Sequence, residues 1–366
     1  MNYTTIAYNV WRRYTNLSFP MSYTAIFTLY GALRLADVMN DEALRADVIK
    51  RLMPMIEGKV EKAAGFYGEY VYRWGGNAAA WALLHGHLPE GSAEALCTAC
   101  DGLIRYQPRL ENGIFCQKTW YDRSKWGLRW IDTVFGVCPF LVWAGLALER
   151  PDFVDESVKQ MLGHHRRLFD PAAKLYFQAF NARGSGKVTP SHWSRGEGWG
   201  LLALAEMLYD VPKDHPRYGE LLKAYRDDLE GCAACQDSCG MWHQALETPE
   251  SYLESSGTAL ILYAISRGLK NGSVAKEDHD RFLKIYLKGL RALLGYIGLD
   301  GSVFNACSGC LAPGEGTAED YANHPWKLND QHGMAAVMMC LSQAETLCAK
   351  LQMIPAPEEL VNCKEF

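Results

Sequence analysis

Apolar residues recur at helical spacing over most of this 366-residue chain. The windows that repeat at i, i+3 and i+4 are Tyr3–Tyr14, Ser22–Met39, Glu42–Met53, Gly76–His87, Ser92–Tyr106, Trp130–Leu148, Phe153–Leu168, Gly198–Tyr209, Tyr218–Leu229, Ser251–Gly268, Glu277–Ile297 and Gln331–Leu351. No convincing strand is present, and short aromatic runs such as LYFQAF and GIFCQK read as loop ribbons between helices. The pattern predicts an all-α chain.

The connections between these windows alternate in length. HLPEGS, ERPD and VPKDHPR are short, whereas YGEYVYRWGGN, ENGIFCQKTWYDRSKWGLRW, KLYFQAFNARGSGKVTPSHWSRGEGW, DSCGMWHQALETPESY and the stretch from Asp300 to Asp330 are long and rich in Gly, Trp and Tyr. Short turns within a helix pair and long ones between pairs are what a closed toroid of helical hairpins requires. Residues 1–366 are therefore expected to form one domain, an (α/α)6 barrel whose long loops wall a cleft at one end. An open helical solenoid would not concentrate aromatic residues and glycine in its loops.

Composition narrows the function. Apolar residues make up 49% and charged residues 22%, enough for a large core, and the formal charge is -5. No Lys/Arg stripe marks a nucleic-acid surface; Arg12-Arg13 and His164-His165-Arg166-Arg167 read as solvated helix faces. No apolar run is long enough to cross a membrane, and the N-terminus lacks the pattern of a secretory signal, so a cytoplasmic protein is expected. Twelve cysteines are then reduced thiols. Cys97 and Cys100 share a helix face; Cys232, Cys235, Cys307 and Cys310 have the spacing of a four-thiolate zinc site, but no other ligand cluster supports one. Neither a metal nor an organic cofactor is expected, and the chain is expected to be a monomer or weak homodimer.

Most tryptophans lie in the long loops: Trp74, Trp120, Trp126, Trp130, Trp193, Trp199, Trp242 and Trp326. Aromatic faces with sparse charge suit the C–H faces of sugars, and no Gly-rich phosphate loop is present to hold a nucleotide. In GLRWIDTVFGVCPFL, Asp132 stands at the start of an apolar helix. It reads either as a helix cap or as a desolvated carboxyl that keeps its proton near neutral pH. In SHWSRGEGWG, Arg195 between Trp193 and Trp199 reads either as part of a helix N-terminal turn or as a bidentate grip on a sugar carboxylate.

Four ordered motifs carry a family resemblance. WIDTVFGVCPFL resembles the W-x-D-T-L-[YF] segment of the unsaturated rhamnogalacturonyl hydrolases, glycoside hydrolase family 105, relatives of the family 88 unsaturated glucuronyl hydrolases. WSRGEGWG, MWHQALETPESYLESSGTALILYAISRGL, and DGSVFNACSGC followed by LNDQHGMAA resemble three further segments of that family, in the same order. The resemblance implies an (α/α)6 fold and release of a 4,5-unsaturated uronic acid from lyase-generated oligosaccharides such as unsaturated galacturonyl-rhamnose from pectin. It implies Asp132 as the acid/base, with Lys118, Trp130, Trp193, Arg195 and Trp199 at substrate-binding positions. Departures fall at Asn77, where the family has a second aspartate, at Gln117 in place of histidine, at Gln178-Ala179-Phe180 in place of H-x-W, and at Glu197 in place of asparagine. Asn77, Gln117 and Gln178 are still expected to contact sugar hydroxyls, His192 and His243 join the cleft candidates, and His332 is expected to be structural. Two other readings stay open: an inverting glycosidase using Asp132 with Glu197 or Glu254, and a sugar-binding protein without turnover.

Overall fold

The computed structural model describes residues 2–61, 63–65, 67–119, 122, 124–310 and 316–350. Its helices are α1 (Tyr3–Thr15), α2 (Tyr23–Met39), α3 (Glu42–Ile56), α4 (Gly76–Leu84), α5 (Ser92–Tyr106), α6 (Asp132–Ala147), α7 (Pro151–Leu168), α8 (Ser194–Asp210), α9 (Tyr218–Ala234), α10 (Ser255–Asn271), α11 (His279–Leu294), α12 (Ala318–Asn323) and α13 (Gln331–Lys350). Trp120 and Leu351 lie outside the described residues.

Burial sorts these helices into two layers. In α6 almost every residue from Thr133 to Gly145 is buried, and α8 and α10 are buried as completely. In α11 burial is confined to a stripe at Phe282, Tyr286, Gly289, Leu290 and Leu293, the one apolar face of an outer helix. Packing closes the buried helices into a ring in the order α2, α4, α6, α8, α10, α13 and back to α2. Outer helices α3, α5, α7, α9 and α11 back this ring, and α1 packs on α13, so the two ends of the barrel sequence meet. This is the (α/α)6 architecture.

Close approach within the ring needs small residues. A Cβ on Gly257 of α10 would lie 2.5 Å from the Ser194 backbone, and one on Gly198 of α8 would lie 2.6 Å from Leu260. At the end of the ring away from the long loops, Glu206 ties the helices together. Its Oε1 accepts from Tyr30 at 2.7 Å and from Tyr263, and its Oε2 accepts from Arg267 at 2.8 Å. Every member of this network is buried, so the helices are fixed by paired charge as well as by packing. No helix among the described residues is long and apolar enough to cross a membrane.

The loops contain short strands that the sequence pattern did not show. They are β1 (Gln117–Lys118), β2 (Trp126–Trp130), β3 (Phe169–Asp170), β4 (Leu175–Tyr176), β5 (Ala179–Phe180), β6 (Ala306–Cys307) and β7 (Trp326–Lys327). β2 pairs antiparallel with β1 and β5, setting Trp130 opposite Ala179 and Lys118 opposite Trp126. GIFCQK and LYFQAF are thus partly strand: β1 pairs with β2 of its own loop, β4 pairs with the adjacent β3, and β5 pairs across to β2. Trp130 ends β2 rather than opening α6, which starts at Asp132.

Candidate active site

Five of the six inner helices begin where a long loop ends, and α2 begins on the same side after the short connection from α1, so the first turns of the ring converge on the loop side of the barrel. Tyr23 is the first residue of α2, Asn77 is the second of α4, Asp132 is the first of α6, and Gln331 and His332 open α13. Tyr23, Tyr72, Asn77, Asp132, Phe135 and Trp199, with Ile26 and Phe27, line a cavity of about 20 Å³, room for about one water molecule. The roomier surface hollows, such as the 790 Å³ one lined by Tyr70, Tyr106 and Arg150, contain none of these residues.

Asp132 does not cap its helix. The cap position is Ile131, no side chain caps the α6 N-terminus, and Asp132 Oδ2 is buried with no hydrogen-bond partner. Burial pushes the carboxyl up from 3.8 to about 6, against the opposing pull of its own backbone N–H, Arg195 and Gln178. This carboxyl is half protonated near pH 6 and has a free oxygen.

Several expected residues do surround it. Arg195 is buried, its guanidinium 4.6 Å over the Trp193 ring, with Nη1 donating to Cys307 O at 2.5 Å and Nε lacking a partner. Trp193 stacks on Tyr321 at 5.8 Å and donates from Nε1 to Gln244 at 3.1 Å. Trp199 stacks on Phe135 at 5.3 Å. Gln178 accepts from Ile131 N through its backbone oxygen at 2.9 Å and from Tyr321 through Oε1, which pins the loop beside Asp132. Asn77 donates from Nδ2 to Phe135 O at 2.7 Å, and its Oδ1 is buried without a partner.

Other expected residues stand elsewhere. Trp130 is fully buried among Leu128, Ala179 and Ala182, a packing residue under β2 rather than an open sugar platform. Lys118 is exposed at the rim, its ammonium 5.4 Å from the Trp126 ring. Gln117 pairs opposite Leu128 in β1, beside Tyr67. His192 is engaged by Glu247 at 2.6 Å and stacked on Phe177 at 4.7 Å. His243 is held by Ser251 O at 2.6 Å and by Asp237.

His332, expected to be structural, stands close to the site. Its Nε2 lies 2.7 Å from Tyr23 Oη and its Nδ1 lies 2.6 Å from Asp330 Oδ1, directly beside the cavity. Tyr23, Tyr72 and Tyr321 went unnoticed in the sequence, and Cys310 was weighed only as a zinc ligand. The signal for Tyr23 was available: it holds the same helix-start position in α2 that Asp132 holds in α6.

Glu197 and Glu254 are both spoken for. Glu254 caps α10, accepting from Ser256 N at 3.0 Å, Gly257 N at 2.5 Å and Cys307 N at 2.9 Å. Glu197 accepts from Tyr176 N at 2.7 Å and points into the outer layer toward Asp228 and Cys232. That trio is the one group among the described residues with metal-ligand spacing. Burial pushes both carboxyls up; repulsion from Glu197 carries Asp228 far above the usual range, while the hydrogen bond from Asp228 pulls Glu197 back down, so Asp228 keeps a proton that the pair shares. The four thiols of the imagined zinc site are not gathered: Cys232 donates to Asp228, while Cys307 Sγ lies against Gln244 and Gly309.

A ring of six inner helices backed by six outer ones, with a buried, proton-retaining carboxyl among aromatic residues at its loop end, defines an (α/α)6 barrel with the makings of an acid-catalysing site. The chain belongs to Glycosyl Hydrolase Family 88, whose profile matches residues 2–348. It is similar to the unsaturated rhamnogalacturonyl hydrolase YesR of Bacillus subtilis, 30% identical over 198 residues, which is 54% of this chain and 54% of the relative. The match thus spans about half of the curated relative. Among solved structures, a possible family 105 member from Klebsiella pneumoniae superposes with TM-score 0.79 at 22% identity, covering 93% of this chain and 92% of that one. A family 105 glycoside hydrolase from C. acetobutylicum gives TM-score 0.79 at 20% identity, covering 94% of this chain and 100% of the other. At these identities the superpositions speak for the fold.

Proposed function

We propose that this protein is a glycoside hydrolase that releases a 4,5-unsaturated uronic acid from the non-reducing end of short lyase-generated oligosaccharides. Unsaturated galacturonyl-rhamnose is the preferred candidate substrate, supported by the name of the Bacillus subtilis relative. The C4=C5 bond of such a sugar is a vinyl ether. A proton delivered to C4 leaves an oxocarbenium ion at C5, water adds there, and the resulting hemiketal opens and expels the partner sugar. Asp132 is assigned the proton delivery, and Arg195 the uronate carboxylate. The sugar seats on the loop side of the small cavity, with Trp193 and Trp199 flanking it.

One observation carries this reading: Asp132 is the only carboxyl lining the cavity among the described residues, and burial holds its pKa at about 6. A carboxyl near neutral pKa suits proton delivery at neutral pH. A conventional inverting pair needs a second carboxylate roughly 6.5–9.5 Å away, free to activate water. Glu254 and Glu197, the partners considered for that role, are consumed by capping and by Asp228.

Loss of the conjugated double bond's ultraviolet absorbance tests the proposal. Wild type should bleach lyase-generated disaccharides and Asp132→Asn should not. Unchanged turnover by Asp132→Asn, or hydrolysis of saturated nitrophenyl glycosides alone, would overturn it. Saccharide binding without bleaching would instead identify a binding protein.

A further inference from the structure

On the outer wall of the barrel, α7 and the loop that carries β1 and β2 border a hollow of about 280 Å³, which shares no lining residue with the Asp132 cavity. Arg129, Lys159, Arg166, Arg167 and Arg217 line it together with Asn112, and no carboxylate does. Five cations around one small space run against the character of the chain, whose formal charge is -5.

These cations are neutralised unevenly. Glu220 pairs with Arg217 at 2.7 Å and with Arg166 at 3.5 Å. Glu156 holds Arg109 at 2.6 Å and stands 3.6 Å from Lys159. Arg129 and Arg167 have no carboxylate partner among the described residues. Both lie over one aromatic ring instead, Arg129 at 4.8 Å and Arg167 at 3.6 Å from the centre of Phe180, which stands opposite Arg129 in the β2–β5 pair. A ring face orients a guanidinium group but leaves its charge in place. Arg129 is the sharper case: only 8% of it is exposed, and its Nε is buried without a hydrogen-bond partner. Burial, with repulsion from Arg167, pulls its pKa down to about 10, so it is still a cation at neutral pH. A buried guanidinium is ordinarily paired, because taking its charge out of water is costly. The described residues supply no such partner, and a bound anion would.

We propose that this hollow is a binding site for a tetrahedral dianion, inorganic phosphate or the phosphate group of a small ester, held between Arg129 and Arg167. Two unneutralised guanidinium groups match an occupant of charge about −2. Lys159 supplies a third donor. Oxygens that point in several directions serve side chains on β2 and α7 at once, which a planar carboxylate of single charge does not. The size agrees, since 280 Å³ falls below the roughly 300–1,000 Å³ of pockets for drug-sized ligands. An acidic chain also offers no long-range attraction to a polyanionic sugar chain. Arg129 stands on β2, which leads into Asp132, so the bound ion ties that strand to the outer helix α7. The site is independent of the reaction assigned to Asp132.

Isothermal titration calorimetry of the whole chain with inorganic phosphate at neutral pH, against chloride at equal ionic strength, tests the site. One-to-one binding with a Kd on the order of 0.1–1 mM is expected. Arg129→Gln and Arg167→Gln should each weaken it about ten- to hundredfold, the loss of a hydrogen bond to a charged group. Thermal unfolding gives a second signature. In chloride alone, Arg129→Gln should be at least as stable as wild type, because it removes an unpaired buried charge. In phosphate, wild type should gain stability and Arg129→Gln should not. Should Arg129→Gln fail to fold, Arg167→Gln, at an exposed position, carries the test. Phosphate affinity unchanged in the variants would mean an adventitious ion only and would overturn the proposal, as would heats no different from those of chloride. Glucose 6-phosphate separates the two sources: binding tighter than phosphate identifies an ester, and weaker binding the free ion. Binding of trigalacturonate through Arg129 in place of phosphate would overturn the tetrahedral assignment.

Discussion

Replacing Asp132 with asparagine should stabilise the fold while abolishing proton delivery, and the size of the gain follows from the site. Burial raises the carboxyl from 3.8 to about 6. At 1.36 kcal/mol per pKa unit this is about 3 kcal/mol of destabilisation once the group is ionised. An acid whose folded pKa is raised contributes no penalty below its unfolded pKa. The penalty grows between pH 3.8 and about 6 and is complete above that. The substituted amide is neutral at every pH, so Asp132→Asn should match wild type near pH 4 and exceed it by about 3 kcal/mol at pH 8. For a chain of this size that is a gain of about 4 °C in Tm. Thermal unfolding of both proteins from pH 4 to pH 8 is the assay. A pH-independent difference, or no gain at pH 8, would mean that the carboxyl is not held desolvated and would remove the basis for its role.

The same titration gives a kinetic expectation. If protonated Asp132 is the working form, kcat/KM should fall about tenfold per pH unit above pH 6, and a rate rising through pH 7–8 would contradict it. At the far end of the barrel, Glu206→Gln leaves the Arg267 guanidinium buried without its counter-charge. The expected loss is about 3–5 kcal/mol in urea denaturation; a loss under about 1 kcal/mol would show that the network is not structural. Glu197 and Asp228 hold a proton in the fold that the unfolded chain releases above about pH 4, so this pair destabilises increasingly as pH rises. Glu197→Gln should therefore raise Tm more at pH 8 than at pH 5, and equal gains would refute proton sharing.

Helix periodicity located the ring to within a few residues, because inner and outer helices alike repeat apolar positions locally. Loop lengths alone ordered the ring, since long and short connections must fall at opposite ends. The strands escaped notice because two-residue elements such as β1 and β6 are too short to show an alternating pattern and exist only through pairing with β2 and β7 across their own long loops. Arg195, Trp193 and Trp199 were legible because they are crowded into one motif. Trp130, two residues before Asp132 in sequence, ends β2 and packs with Leu128 on the same strand face against Ala179, whereas Asp132 already belongs to α6. Histidines are the residues whose surroundings the sequence shows least. His192 and His243 have local acceptors that absorb them, whereas the partner of His332, Tyr23, lies 309 residues away and leaves no trace in local sequence.

Turnover of an unsaturated disaccharide in D2O, followed by NMR of the released uronate in the first minutes, tests the central claim most directly. Protonation of the vinyl ether by Asp132 predicts one deuterium at C4 on a single face and loss of the C4=C5 bond in step with release of the partner sugar. A released uronate that still carries its double bond, with no deuterium at C4, would contradict it.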